Sequence, residues 1–237
     1  MSDIQKQTFD SQAIQKKIYT MFNNTEWQSK LKMFMLSSDF KDIIDNLIEE
    51  VSNDRRFTPP LKVAFNGIIN CPYDKLKVVM IGQDPYPKLG VADGIAFSCS
   101  FNEKPQPSLK MFHTALKEYI PDYEPFNDLT PWVDQGILML NTAFTTQIGK
   151  PGTHQKIWQN FTAEILNHLS KAKPDLIYVF FGKKAQEWED FVPSTATKIT
   201  VVHPAAAVYT GGIWNHNDVF PNISAAVKEK FDYDIEW

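Results

Sequence analysis

The sequence predicts an α/β protein with a central four-stranded, parallel, twisted sheet, helices on both faces and a helical N-terminal segment. Three observations carry this expectation. Four short apolar runs rich in β-branched and aromatic residues occur at 76–81 (LKVVMI), 136–141 (GILMLN), 176–181 (LIYVFF) and 198–202 (KITVV). Such runs suit strands buried on both faces of a parallel sheet. Helical patterns alternate with them, which implies right-handed crossovers. The chain has 237 residues, 43% of them hydrophobic, enough to bury one sizeable core.

The elements follow in order. The first 56 residues read as helices, with residues 1–24 as a variable helical extension of a single domain spanning 1–237. Ser38 stands as an N-cap before a stretch in which Phe40, Ile43, Ile44, Leu47 and Val51 recur at helical spacing. Arg55 to Pro60 breaks that pattern. Helices are expected from Ser108 behind Pro107, over 156–170, and from Asp218 or Pro221 to Phe231. No internal repeat or linker-like tract divides the chain.

Composition excludes several classes. The apolar content excludes disorder, and 10 Gly with 15 scattered Pro exclude low-complexity chains. No apolar run reaches the roughly 18 residues needed to cross a bilayer, and the N-terminus carries no targeting signal. A cytoplasmic location, or the interior of a host cell for a viral source, is expected. Two cysteines, Cys71 and Cys99, exclude a disulfide scaffold and a four-cysteine zinc site. The five histidines form no i, i+4 ligand pair, so no metal is expected. Net charge is −4, and the basic residues are 22 Lys against 2 Arg. That balance argues against indiscriminate nucleic-acid binding and leaves few bidentate forks for reading guanine.

In open parallel sheets, ligands bind beyond the carboxyl ends of the strands. The four runs end in GQDPYP (82–87), Asn141, GKKAQ (182–186) and HPAAAVYTGG (203–212). Each feature has an ordinary reading: Asp84 as a turn cap, His203 as a core histidine, Asn141 as a strand-end cap, Phe97 and Tyr86 as packing. Convergence on one sheet edge favours a site. Two prolines stiffen the loop that carries Gln83, Asp84 and Tyr86. Asn141 offers a paired donor and acceptor suited to the edge of a planar base. GKKAQ lacks phosphate-loop spacing, no G-x-G-x-x-G follows a strand, and no G-x-S-x-G occurs.

These motifs resemble the family-1 uracil-DNA glycosylases over about residues 25–237. GQDPYP is similar to that family's water-activating motif, GIAFSC (94–99) to its base-stacking segment, and QPSL (106–109) to its serine-bearing DNA loop. GILMLN resembles the strand that delivers the base-reading Asn, and HPAAAVYTGG the final histidine motif. TPPLKVAFNGI (58–68) and the closing IEW also fit. The resemblance implies a monofunctional enzyme that flips uracil out of DNA, hydrolyses its N-glycosidic bond and leaves an abasic site, as in base excision repair.

By that resemblance Asp84 and His203 are catalytic, and Gln83, Tyr86, Phe97 and Asn141 bind the base. Pro107, Ser108, Gly182, Lys183, Ala205, Val208 and Tyr209 form the DNA-contacting loops. No cofactor or metal is implied. The partner is uracil-containing DNA, single- or double-stranded; the protein is expected to be a monomer without membrane association, and a proteinaceous inhibitor or replication partner is compatible with the family. Pro87 replaces the usual His, Lys183 a serine, and Ala205 and Ala207 the usual serine and wedging leucine. The GQDPYP and HPAA variants resemble the poxvirus branch. Alternatives are the same fold acting on another modified base, or a DNA-binding or processivity component of a replication complex.

Overall fold

A computed structural model describes residues 9–237. Nine α-helices occur among them: α1 (Ser11–Met21), α2 (Trp27–Met35), α3 (Ser38–Ser52), α4 (Asn66–Ile69), α5 (Pro107–Tyr119), α6 (Thr130–Asp134), α7 (Gln155–Ala172), α8 (Lys183–Gln186) and α9 (Val219–Phe231). The strands are β1 (Phe57–Thr58), β2 (Val78–Gly82), β3 (Ile137–Asn141), β4 (Thr146–Gln147), β5 (Ile177–Phe181) and β6 (Thr197–Val201). Two 3-10 turns, Glu189–Phe191 and Pro204–Thr210, complete the set. No helix among the described residues is long and apolar enough to cross a membrane.

The four expected runs form one parallel sheet in the order β3-β2-β5-β6. From β2 the chain steps outward to β3, then returns through α7 to β5 on the other side. That reversal leaves a crevice beyond the strand ends, where the loops after β2 diverge from those after its neighbours. Every residue of β2 and β5 is buried, as their unbroken apolar runs require. β6 corrects the expectation of burial on both faces: on this polar edge strand (TKITV) only Val201 is buried.

The helices flank the sheet in two groups. α1, α2, α3 and α7 pack together, while α5 packs with α9, and α9 lies on β5 and β6. Each group is cemented by aromatic rings. Phe65, Phe144, Trp158 and Phe161 form one cluster, and Phe112, Phe181, Trp214 and Phe220 the other. Edge-to-face and offset pairs of this kind add about 0.5–1.5 kcal/mol each beyond their buried area.

One local expectation is adjusted. Ser37, not Ser38, caps α3. Its extended backbone places it outside the helix, and its hydroxyl accepts from Phe40 N–H at 3.4 Å. Of the expected extension, residues 1–8 lie outside the described residues; α1 docks on the core through Ile18 and its C-cap Phe22, both buried. Gln15 beside them donates to the carbonyls of Met35 and Ser37 at 3.0 and 2.8 Å.

The segment that breaks the early helical pattern contributes β1, which pairs antiparallel with β4. This two-stranded ribbon was not expected, since two residues carry no readable periodicity. It fixes the loop after β4 close to the carboxyl edge of the large sheet.

Candidate active site

A cavity of about 490 Å³ opens at the carboxyl edge of the sheet. It is lined by all six residues expected to bind or transform a base: Gln83, Asp84, Tyr86, Phe97, Asn141 and His203. Each is held by a different local device.

Asp84 sits in the loop after β2. Its carboxylate accepts the Gly152 amide from the loop after β4. Burial pushes its pKa above the usual carboxylate value, opposed first by the Gly152 amide and then by the nearby Thr146 hydroxyl. Its neighbour Gln83 is anchored through its carbonyl, which accepts from Ala143 N–H at 3.0 Å and Gln155 Nε2 at 2.9 Å.

Asn141 ends β3 in register with Gly82, the last residue of β2. A Cβ on Gly82 would lie 2.7 Å from Asn141 Oδ1 and 3.1 Å from Phe97 Cζ. The bare backbone of Gly82 is therefore what lets amide and ring close over one floor. Phe97 holds φ +66°, a left-handed conformation unusual for a large side chain. Its ring packs 4.7 Å from Phe112, 5.0 Å from Phe181 and 6.0 Å from His203, centroid to centroid.

Two groups hold the Phe97 loop in that conformation. Tyr86 donates its hydroxyl to Phe97 O at 2.8 Å, which also fixes the Tyr86 ring at the cavity wall. Buried Asp93 accepts from Ile95 N–H, Ser98 Oγ and Ser100 N–H at 3.1, 2.6 and 2.8 Å. Asp93 was missed from the sequence. Its one signal was an Asp-Gly turn, which does not say what the turn supports.

His203 follows β6. Its Nδ1 accepts the Ala205 amide at 3.1 Å, so the proton of the neutral ring lies on Nε2. Burial lowers its pKa, which keeps it neutral at pH 7. A Cβ on Gly182, with φ +86°, would come within 2.6 Å of His203 Cβ. Gly182 thus serves the site from behind the imidazole and does not line the cavity.

The remaining expected residues separate into wall and rim. Ser108, in the first turn of α5 behind Pro107, is buried and lines the cavity, as do exposed Ala205 and Tyr209. Pro107, Lys183 and Val208 lie outside that lining and are exposed. Ala207 is buried, whereas Val208 and Tyr209 are 72% and 90% exposed. Pro151, also unforeseen, completes the mouth. Among the described residues no cluster of three or more His, Cys, Asp or Glu could hold a metal ion.

The fold and cavity define an α/β protein whose sheet edge presents an amide, a flat ring, a half-buried carboxylate and a neutral imidazole to one cavity. A model of the uracil DNA glycosylase superfamily matches residues 69–223. The uracil-DNA glycosylase of Acinetobacter baylyi is 30% identical over 214 residues, covering 89% of this chain and 90% of that one. That of Dichelobacter nodosus is 37% identical over 151 residues, 62% of this chain and 66% of its own. The crystal structure of mimivirus uracil-DNA glycosylase superposes with a TM-score of 0.82 at 26% identity, over 93% of this chain and 88% of that one. A mimivirus UNG variant solved in complex with UGI gives a TM-score of 0.82 at 27% identity, over 93% and 90% of the two chains. The chain belongs to the uracil DNA glycosylase superfamily.

Proposed function

We propose that this protein hydrolyses the N-glycosidic bond of deoxyuridine in DNA, releasing uracil and leaving an abasic site. The observation that carries the reading is the meeting of Asp84, Asn141, Phe97, Tyr86 and His203 in one cavity, with His203 neutral and its free donor on Nε2.

Breaking the bond between C1′ and N1 builds positive charge on the sugar and negative charge on the departing base. Ionised Asp84 stabilises the cationic sugar and orients the water whose oxygen joins C1′, taking up the proton that water loses as uracil departs as its N1 anion. The raised pKa of Asp84 means that burial has weakened its hydration, so its charge is available to the sugar rather than screened by solvent. His203 Nε2–H donates to the uracil O2 as charge develops there. A neutral imidazole can do this without exchanging protons, and one such preorganised donor supplies about 3–4 kcal/mol.

Specificity follows from the other walls. Asn141 pairs with N3–H and O4 of uracil, and cytosine would leave that amide mismatched. Phe97 stacks on the ring. Tyr86, held by its hydroxyl to Phe97 O, fills the space where the 5-methyl of thymine would sit. A flipped base leaves a gap in the duplex that apolar side chains commonly enter. Ala207 points inward and cannot fill it, so Tyr209, exposed at the cavity mouth, takes that part, with Val208 beside it. Pro107, Ser108 and Lys183 then face the backbone of the bound strand.

The protein acts as a monomer in this reading, and a proteinaceous inhibitor that covers the mouth is the partner class it fits. The test is incubation with a uracil-containing oligonucleotide followed by alkaline cleavage. Strand scission at the uracil is the expected result. No scission by the wild-type protein, where the Acinetobacter baylyi relative works in parallel, would overturn the reading.

A further inference from the structure

The loop that supplies the Gly152 amide to Asp84 has its own support, remote from the cavity. Residues 147–152 turn back on themselves through a bridge between Gln147 and Lys150. The loop touches the Asp84 loop twice: Gly149 N–H donates to Pro87 O at 2.9 Å, and Gly152 N–H to the Asp84 carboxylate. Gly152 adopts φ +80°, with Gln83 Nε2 only 3.3 Å from where a Cβ would lie. The donor therefore depends on a backbone conformation that favours glycine, and that conformation depends on where the loop's ends are held.

One end is held by β4 on β1, together with Ile148 N–H on Arg56 O at 2.9 Å. The same end is held from behind by a carboxylate, Glu50 on α3. Its Oε2 accepts the side-chain amide of Gln147, and His154 Nε2 lies 3.7 Å from the same oxygen. Its Oε1 pairs with Arg55 Nε at 3.0 Å. Glu50 is only 14% exposed and His154 1%, so these contacts are little screened. The other ring nitrogen of His154 meets Thr145 Oγ1 at 2.8 Å, which in turn accepts Trp158 Nε1–H at 2.7 Å. Glu50 thus ties Gln147, at the start of the loop that carries Gly152, to the helical layer behind the site.

We infer that Glu50 is a positioning residue for Asp84, acting through Gln147 to aim the Gly152 amide at the reacting carboxylate. The inference rests on the role given to Asp84 above. Without the brace the loop relaxes, Asp84 loses a donor that favours its ionised form, and its carboxylate turns away from the sugar. Tyr86, His203 and Tyr209 are the other titratable groups of the cavity, and none of them touches the brace.

The experiment compares Glu50→Ala, Glu50→Gln and Gln147→Ala with wild type on a uracil-containing oligonucleotide from pH 4.5 to 9, alongside thermal melting. Glu50→Ala and Gln147→Ala are expected to lower kcat roughly tenfold with KM within about twofold, the pattern of an interaction made only in the transition state. The acid limb of kcat should move to higher pH in both. Glu50→Gln keeps an acceptor for Gln147 and should recover most of the loss. Gln147→Ala decides the matter if Glu50→Ala fails to fold. Folded variants of both kinds with wild-type kcat and an unmoved acid limb would overturn the inference while leaving wild-type uracil release intact. Inactive wild type would overturn the underlying reading instead.

Discussion

The floor and the rim of the cavity are built by opposite rules. On the floor Asp84 is held by the Gly152 amide, Phe97 by the Tyr86 hydroxyl and its ring neighbours, and His203 by the Ala205 amide, while Asn141 is placed by its register beside Gly82. On the rim, Lys183, Val208 and Tyr209 are exposed, and the described structure gives their side chains no hydrogen bond. Chemistry needs groups placed before the substrate arrives, because the reacting geometry tolerates errors of only about 0.5 Å. Grip on a long flexible polymer can be assembled as the polymer arrives. The contrast implies that floor substitutions change kcat and rim substitutions change substrate engagement.

The largest effects should come from the floor. Asp84→Asn and His203→Ala are each expected to lower kcat by on the order of a thousandfold, with little change in fold, as removal of preorganised electrostatic groups does elsewhere. Near-wild-type turnover of either variant would remove that residue from its role. Asp84→Asn also carries a thermodynamic signature. A carboxylate whose folded pKa is raised contributes stability below its unfolded value, which is lost as pH rises through the folded pKa. The ionised group therefore strains the native state at neutral pH. The Asn variant, with no charge to desolvate, should melt higher than wild type at pH 7, and the difference should vanish near pH 3. Equal melting temperatures at pH 7 would mean that Asp84 is not destabilised by its burial.

Next comes the geometry of the floor. Gly82→Ala should reduce kcat/KM at least tenfold, since the new methyl would meet Asn141 Oδ1 and the Phe97 ring, the two groups proposed to read and stack the base. Unchanged kinetics would show that the floor can shift to accommodate a methyl. Tyr86→Ala should release thymine from ordinary DNA, whereas Tyr86→Phe, which keeps the ring and loses only the bond to Phe97 O, should not. If thymine release stays undetectable in the Ala variant, exclusion of the methyl group is not what Tyr86 supplies.

The same contrast explains what could be read in the sequence. β2, β3, β5 and β6 were legible because strand runs in a parallel sheet are apolar, short and bounded by glycine or proline. Their polar ends were legible because that edge is where such sheets bind ligands. The supports of the floor were not. Gly152 stands 68 residues from the carboxylate it serves, and a Lys-Pro-Gly turn signals only that the chain bends there. Glu50 lies on a helix where a charged residue ordinarily faces solvent, so nothing in the pattern marks it as half-buried. The edge position of β6 was equally hidden, since neighbour order depends on crossovers that local sequence does not encode.

The smallest effects should come from the rim, and they should depend on the substrate. In duplex DNA a flipped base leaves neighbours that must be kept apart, and an exposed aromatic side chain at the mouth can stack into that space. Base–aromatic stacking is worth about 1–3 kcal/mol, so Tyr209→Ala should lower kcat/KM on a uracil-containing duplex by roughly tenfold. A single strand has no partner stack to reclaim the gap, and activity there should stay within about twofold of wild type. Lys183→Ala should act on both substrates alike, reducing the slope of log affinity against log salt by about 1 if its ammonium meets one phosphate. Equal losses on single and double strands for Tyr209→Ala would place the ring in general backbone contact. A loss confined to the duplex would place it in the gap that buried Ala207 leaves unfilled.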